Sequence, residues 1–141
     1  MALICDTGPL YAAMDDQERL HTTCAQLLAE TMERRVVPAP VVVELEWLAS
    51  SRGLSDAFDT FLSDVEDGTV IVEALTLTDY IRCRQLCRQY SDFPLGLVDA
   101  AVIAVAERLG ETKIVTLDRR HFSVVRPRHV RSFTLLPHLG A

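Results

Sequence analysis

The sequence predicts an α/β fold: a three-layer α/β/α sandwich built on a mainly parallel central sheet. Three observations carry this. Short apolar runs of strand length recur at Leu3-Ile4-Cys5, Val36-Val37, Val70-Ile71-Val72 and Ile114-Val115-Thr116-Leu117. Segments with helical spacing separate them, and strands joined by helical crossovers pair in parallel. The segment Leu97 to Leu109 is apolar on nearly all sides, with charges only at Asp99, Glu107 and Arg108. A helix of that composition is buried.

The elements follow in order. Leu3-Ile4-Cys5 is a strand ending at Asp6. Thr7-Gly8-Pro9 opens a helix to Met14, because Pro is favoured just inside a helix start. Asp15 and Asp16 break the pattern. From Glu18 to Arg34, the residues Leu20, Cys24, Leu27, Leu28 and Met32 keep helical spacing. Val36-Val37 is a strand ended by Pro38 and Pro40, and Val41 to Arg52 is a helix closed by Gly53. Ser55 is the expected N-cap of a helix over Asp56 to Glu66, with Phe58, Phe61, Leu62 and Val65 as its buried stripe. Asp67-Gly68 turns the chain into the strand Val70-Ile71-Val72. Thr76 or Thr78 caps a helix to about Tyr90, and Ser91 to Gly96 is a loop. The apolar helix from Leu97 stops at Gly110. The strand from Ile114 ends at Asp118. Ser123-Val124-Val125 and Phe133-Thr134-Leu135-Leu136 read as late strands around an Arg-rich connection. With no repeat, low-complexity tract or linker, residues 1–141 are expected to form one domain.

A hydrophobic share of 49% and a charged share of 24% are ordinary for a globular protein. No apolar run reaches the roughly 18 residues of a membrane span, and Met1 to Asp6 has neither a basic region nor a signal core. The expected location is the cytoplasm, with no membrane partner. Cys5, Cys24, Cys83 and Cys87 lack zinc-ligand spacing and read as buried free thiols. A net charge of −6 argues against a general nucleic-acid coat. Yet Arg108, Lys113, Arg119, Arg120, Arg126, Arg128 and Arg131 are half of all 14 basic residues. Arg holds phosphate with a planar fork of donors, so a local phosphate-binding face is compatible with the acidic total.

In parallel sheets the functional site lies beyond the carboxyl ends of the strands. Asp6 and Asp118 end strands there, and Asp99 sits in the first turn of a helix that can reach the same edge. On the helix from Val41, the residues Val41, Leu45 and Leu48 share a face, and Glu44 stands at its margin. Taken singly, the three Asp residues read as helix caps and Glu44 as a rim salt bridge. Taken together, they are a like-charge cluster that would raise one or more pKa values unless a cation neutralised it. All-oxygen ligation suits Mg²⁺ or Mn²⁺. Such an ion acidifies water and stabilises charge at a reacting phosphate.

ICDTGPL, VVVELEWL, LVDAAVIAVAERLG and TLDRRHF resemble the four acidic motifs of PIN-domain nucleases. Their order, their spacing and the chain length resemble the VapC toxins of bacterial type II toxin–antitoxin systems, over almost the whole chain. The resemblance implies a PIN-like sandwich with its metal-site carboxylates at Asp6, Glu44, Asp99 and Asp118. It places Thr116 at a small polar position near the site, and Arg119, Arg120 and His121 near RNA. For His121, packing beside Phe122 is the plainer alternative. Gly8 stands where many members carry Ser. The resemblance further implies a Mg²⁺-dependent endoribonuclease acting on structured RNA (tRNA or rRNA). It also implies a homodimer, inhibited by a small cognate antitoxin whose tail enters the active site.

Rival readings fit less well. Asp6-Thr7-Gly8 also matches an aspartic protease, but that fold is rich in β-structure and this chain is rich in helical patterns. A receiver domain wants paired acids after its first strand and a Lys after a late strand; here Asp6 stands alone and Lys113 precedes its strand. The alternative of another class is a catalytically silent PIN-like binding module, which the intact set of acids opposes. Trp47 and Val43 widen the apolar surface of their helix, and are expected either in a groove for the antitoxin or in the core.

Overall fold

β1 (Ala2–Cys5) is buried along its whole length. In the computed structural model, which describes residues 1–139, it lies at the centre of a five-stranded parallel sheet. The others are β2 (Arg34–Pro38), β3 (Val70–Glu73), β4 (Lys113–Val115) and β5 (Thr134–Leu136), in the order β3-β2-β1-β4-β5. Ile4 sits between Val36 and Ile114, and Cys5 pairs with Val115. The helices are α1 (Thr7–Met14), α2 (His21–Glu30), α3 (Ala39–Ser51), α4 (Ser55–Glu66), α5 (Leu77–Gln89), α6 (Leu97–Leu109) and α7 (Arg119–Val124).

The strand order decides the layers. The chain moves outward from β1 to β2 and β3, then crosses back beyond β1 to β4 and β5. Right-handed crossovers therefore put α1 to α4 on one face of the sheet and α5 to α7 on the other. The reversal between β1 and β4 opens a crevice at their carboxyl ends.

Ala100 to Ala106 on α6 are all buried, against β1, β2 and β4. Gly110 ends this helix at φ 69°, a left-handed conformation that Gly adopts without steric cost. α5 runs antiparallel to α6, so Asp79 near its start meets Arg108 near the end of α6. The loop at Ser91–Gly96 then returns the chain to the crevice, where α6 begins. Thr76, not Thr78, caps α5. Its hydroxyl accepts the Asp79 N–H at 3.1 Å, and the Asp79 carboxylate accepts the Thr76 N–H at 3.0 Å.

Several expected boundaries move. The helix expected over Glu18 to Arg34 is confined to His21–Glu30, and Met32 is 98% exposed. Arg34 and Arg35 instead pair with Ala2 and Leu3, because the ladder with β1 outweighs local periodicity. Ser55 lies inside α4 and caps nothing, and Leu62 is exposed rather than part of the buried stripe. The strand expected over Ile114 to Leu117 spans Lys113–Val115. Ser123 and Val124 are helical, not a strand. The Asp118 carboxylate accepts the His121 N–H at 3.3 Å and starts α7 there.

Candidate active site

Asp6 is the residue at which β1 ends. Its N–H donates to the Val115 carbonyl at 2.8 Å, so it stands beside the end of β4 at the crevice. Its side chain is only 6% exposed. The buried Thr116 hydroxyl donates to Asp6 Oδ2 at 2.8 Å and accepts the Asp118 N–H at 2.9 Å. One hydroxyl therefore ties the two strand-end acids together. Burial pushes the Asp6 carboxyl up to about 6, against the bonds from Thr116 and the Thr7 backbone; nearby Asp99 and Glu44 add repulsion.

Asp99 enters from the first turn of α6. Burial raises its carboxyl, His121 opposes that rise, and Asp118 adds to it. His121 Nδ1 lies 2.9 Å from Asp99 Oδ2 and 2.6 Å from Asp118 Oδ2. Its in-plane direction nevertheless meets neither oxygen at a hydrogen-bonding angle. The ring packs edge-on against Phe93, with centroids 5.0 Å apart, so its aromatic contact is with the Ser91–Gly96 loop. Glu44 comes from α3, on the opposite layer, and is exposed on the crevice wall.

Asp6, Glu44, Asp99 and Asp118 thus line one cleft of about 740 Å³, with Leu48, Leu97, Val98 and Leu117 as apolar wall. Thr7 and Gly8 line it as well. Thr7 is almost fully buried, and its hydroxyl has no hydrogen-bond partner among the described residues. In the sequence it stands out only by following Asp6 within ICDTGPL. At Gly8 a Cβ would meet Leu117 Cβ at 3.4 Å, so the position admits a small side chain but offers no hydroxyl here.

The donor set fits a divalent cation. Carboxylates from both layers face one cleft, and ligand atoms of Asp99, Asp118 and His121 lie within 4.8 Å of one another. Two buried polar atoms, Thr7 Oγ1 in the cleft and His121 Nδ1 beside Asp99 and Asp118, have no hydrogen-bond partner among the described residues. The cysteines offer no competing thiolate site: all four are free, and burial pushes Cys5 up to about 12 and Cys83 up to about 11.

The two neighbouring arginines differ. Arg119 is partly buried and donates to the Pro137 carbonyl. Arg120 is exposed, with its guanidinium 5.4 Å from the Phe93 ring centroid. Elsewhere, Val43 and Trp47 are 71% and 65% exposed on α3, which excludes the core placement for Trp47. A second cavity of about 620 Å³ lies among α1, α2 and α4, lined by Leu10, Met14, Leu28, Ala57 and Phe61 among others, and Trp47 is not in its wall.

The PIN domain family model matches residues 3–126. Ribonuclease VapC26 of Mycobacterium tuberculosis is 31% identical over 135 residues, covering 96% of this chain and 100% of that protein. The crystal structure of Mycobacterium tuberculosis VapC20, a sarcin–ricin loop cleaving toxin, superposes with a TM-score of 0.80 at 20% identity, over 92% of this chain and 99% of that one. A chain of a toxin–antitoxin complex from Klebsiella pneumoniae gives 0.67 at 19% identity, over 92% of this chain and 100% of that one. At such identities the two structures speak for the fold alone, and the family assignment rests on the domain match and on VapC26. On that basis the chain belongs to the PIN-domain family and, within it, to the VapC ribonucleases.

Proposed function

We propose that this protein is a Mg²⁺-dependent endoribonuclease toxin, with Mn²⁺ as the alternative ion. It would hydrolyse phosphodiester bonds in structured RNA (tRNA or rRNA), act as a homodimer and be neutralised by a cognate antitoxin. The carrying observation is the convergence of Asp6, Glu44, Asp99 and Asp118 on one cleft at the reversal of the sheet.

These four carboxylates would hold the ion. When bound, it supplies an acidified water and charge stabilisation at the scissile phosphate. Thr116 fixes the rotamer of Asp6 and the backbone of Asp118. Glu44 lines the cleft from the other layer, so a phosphate entering it would meet acids from both layers. Arg120, exposed over Phe93, would hold a flanking phosphate. On α5, Leu77, Tyr80 and Ile81 form an exposed apolar face that supports the homodimer.

The test is incubation of purified tRNA and rRNA with the protein in Mg²⁺, in Mn²⁺ and in EDTA. Cleavage is expected with an ion and none with the chelator. RNA binding without cleavage in all three would favour the silent binding module.

Arg120→Ala is expected to weaken RNA binding and to flatten its salt dependence, by about 0.7–0.9 in logarithmic slope for each phosphate left without its arginine. Arg119→Ala removes the bond to Pro137 and should lower the melting midpoint more than it changes the slope. Filter binding across a salt series separates them; equal slopes for Arg120→Ala and wild type would place the RNA elsewhere.

The exposed Val43–Trp47 face of α3 supports an apolar antitoxin contact beside the cleft. Trp47→Ala should change folding stability by no more than about 0.5 kcal/mol. It should weaken antitoxin binding at least about tenfold, as removal of an interface Trp commonly does. Calorimetric titration of antitoxin into both proteins checks this, and equal affinities would move the antitoxin off α3.

A further inference from the structure

We propose that His121 is itself a ligand of the divalent ion, so that Asp99, Asp118 and His121 form a mixed nitrogen–oxygen site in which the imidazole strengthens Mn²⁺ binding far more than Mg²⁺ binding. This rests on the reading of the cleft as a metal centre.

The geometry carries it. Nδ1 stands 2.9 Å from Asp99 Oδ2 and 2.6 Å from Asp118 Oδ2, close to both and hydrogen-bonded to neither. Neighbouring ligands around an ion with bonds of roughly 2.1 Å sit about 3 Å apart. The two distances from Nδ1 are already of that order, and the ligand atoms of all three residues lie within 4.8 Å of one another. The i, i+3 spacing on α7 puts Asp118 and His121 on one side of a helical turn. Asp118 divides its oxygens: Oδ1 accepts the His121 N–H at 3.3 Å, while Oδ2 faces the ring. Phe93 holds the ring edge-on at 5.0 Å. The residue is thus held by its backbone bond to Asp118 and its ring by Phe93, as an oriented ligand requires.

The donor chemistry sets the difference between the two ions. Mg²⁺ takes carboxylate and water oxygens and gains little from imidazole. First-row transition ions gain from a nitrogen donor. The competing account is that His121 is an internal cation paired with the two carboxylates. In that case its removal would leave Mn²⁺ binding unchanged or tighter.

The test uses the full chain loaded with Mn²⁺. Electron spin-echo spectroscopy should show modulation by a ligand nitrogen, changed by ¹⁵N-histidine labelling and absent in His121→Ala. Calorimetry should show Mn²⁺ binding weakened at least about tenfold in His121→Ala, and Mg²⁺ binding changed by less than about threefold. The proposal fails if wild type shows no nitrogen modulation, if the modulation persists in His121→Ala, or if both ions lose affinity equally. Unchanged or tighter Mn²⁺ binding in the variant also overturns it. The spectrum of wild type decides the matter even if His121→Ala does not fold. RNA cleavage in the same samples keeps the two readings apart. Nitrogen modulation without cleavage refutes the nuclease and leaves the ligand standing, whereas cleavage without modulation does the reverse.

Discussion

Asp6→Asn and Asp99→Asn are expected to lower divalent-ion-dependent RNA cleavage at least about a thousandfold, because each removes charge from the set that holds the ion. Their fold should survive, since Asn keeps the shape of Asp. At Asp6 the expected result goes further, because the variant should be more stable than wild type in the absence of metal. The Asp6 carboxyl has an ordinary value of 3.8 and burial pushes it up to about 6 in the folded protein. The folded state therefore binds a proton more tightly than the unfolded chain, and metal-free stability falls as pH rises from about 4 to about 6. At roughly 1.4 kcal/mol per pH unit, the loss is about 3 kcal/mol. Asn carries no charge, and its amide oxygen can still accept the Thr116 hydroxyl, so Asp6→Asn should escape that loss. Chemical denaturation with EDTA at pH 4 and pH 8 measures both effects. A variant that cuts RNA at the wild-type rate would remove Asp6 or Asp99 from the site. A variant no more stable than wild type at pH 8 would mean that the ionised Asp6 is better solvated than its burial indicates.

Arg82→Met is the second large expected effect, a loss of about 3–5 kcal/mol of folding stability. Arg82 grips Glu107 with two bonds, Nε to Oε1 at 2.7 Å and Nη2 to Oε2 at 2.9 Å. The two side chains are only 10% and 9% exposed. The Arg128 N–H also donates to Glu107 at 2.8 Å. Burial alone would raise the Glu107 carboxyl, but the Arg82 pair and the Arg128 bond outweigh it and hold it below its ordinary 4.5. Its contribution is therefore full above about pH 4.5 and lost as pH falls through the depressed value. Without Arg82 the buried carboxylate between α5 and α6 loses its paired cation and keeps only the Arg128 contact. Arg82→Met combined with Glu107→Met should recover much of the loss, because well-packed apolar residues often replace a buried ion pair at little cost. Urea denaturation of the three variants at pH 7 tests this. A single variant within about 1 kcal/mol of wild type would show that the pair is solvated.

Residues whose surroundings are set by near neighbours were legible in the chain itself. The all-round apolar run from Leu97 to Leu109 could only be a buried helix, and Gly110 could end it because a left-handed cap favours Gly. The β-branched runs marked the strands, and the placement of Asp6 and Asp118 just past them followed from the parallel pattern. The partition of the rest depended on contacts far apart in sequence. Arg34 and Arg35 belong to β2 because Ala2 and Leu3 offer them a ladder, which no local periodicity records. Arg119 and Arg120 are adjacent and alike, yet one turns inward to Pro137 and the other lies over Phe93. Trp47 is exposed because Val41, Leu45 and Ala49 already fill the inner face of α3. His121 stands between Asp99 and Asp118 only because α6 and α7 converge on the same side of the sheet reversal. Local spacing specifies which face of an element a side chain occupies, but the partner it meets there is set by the packing of distant elements, where burial and desolvation act.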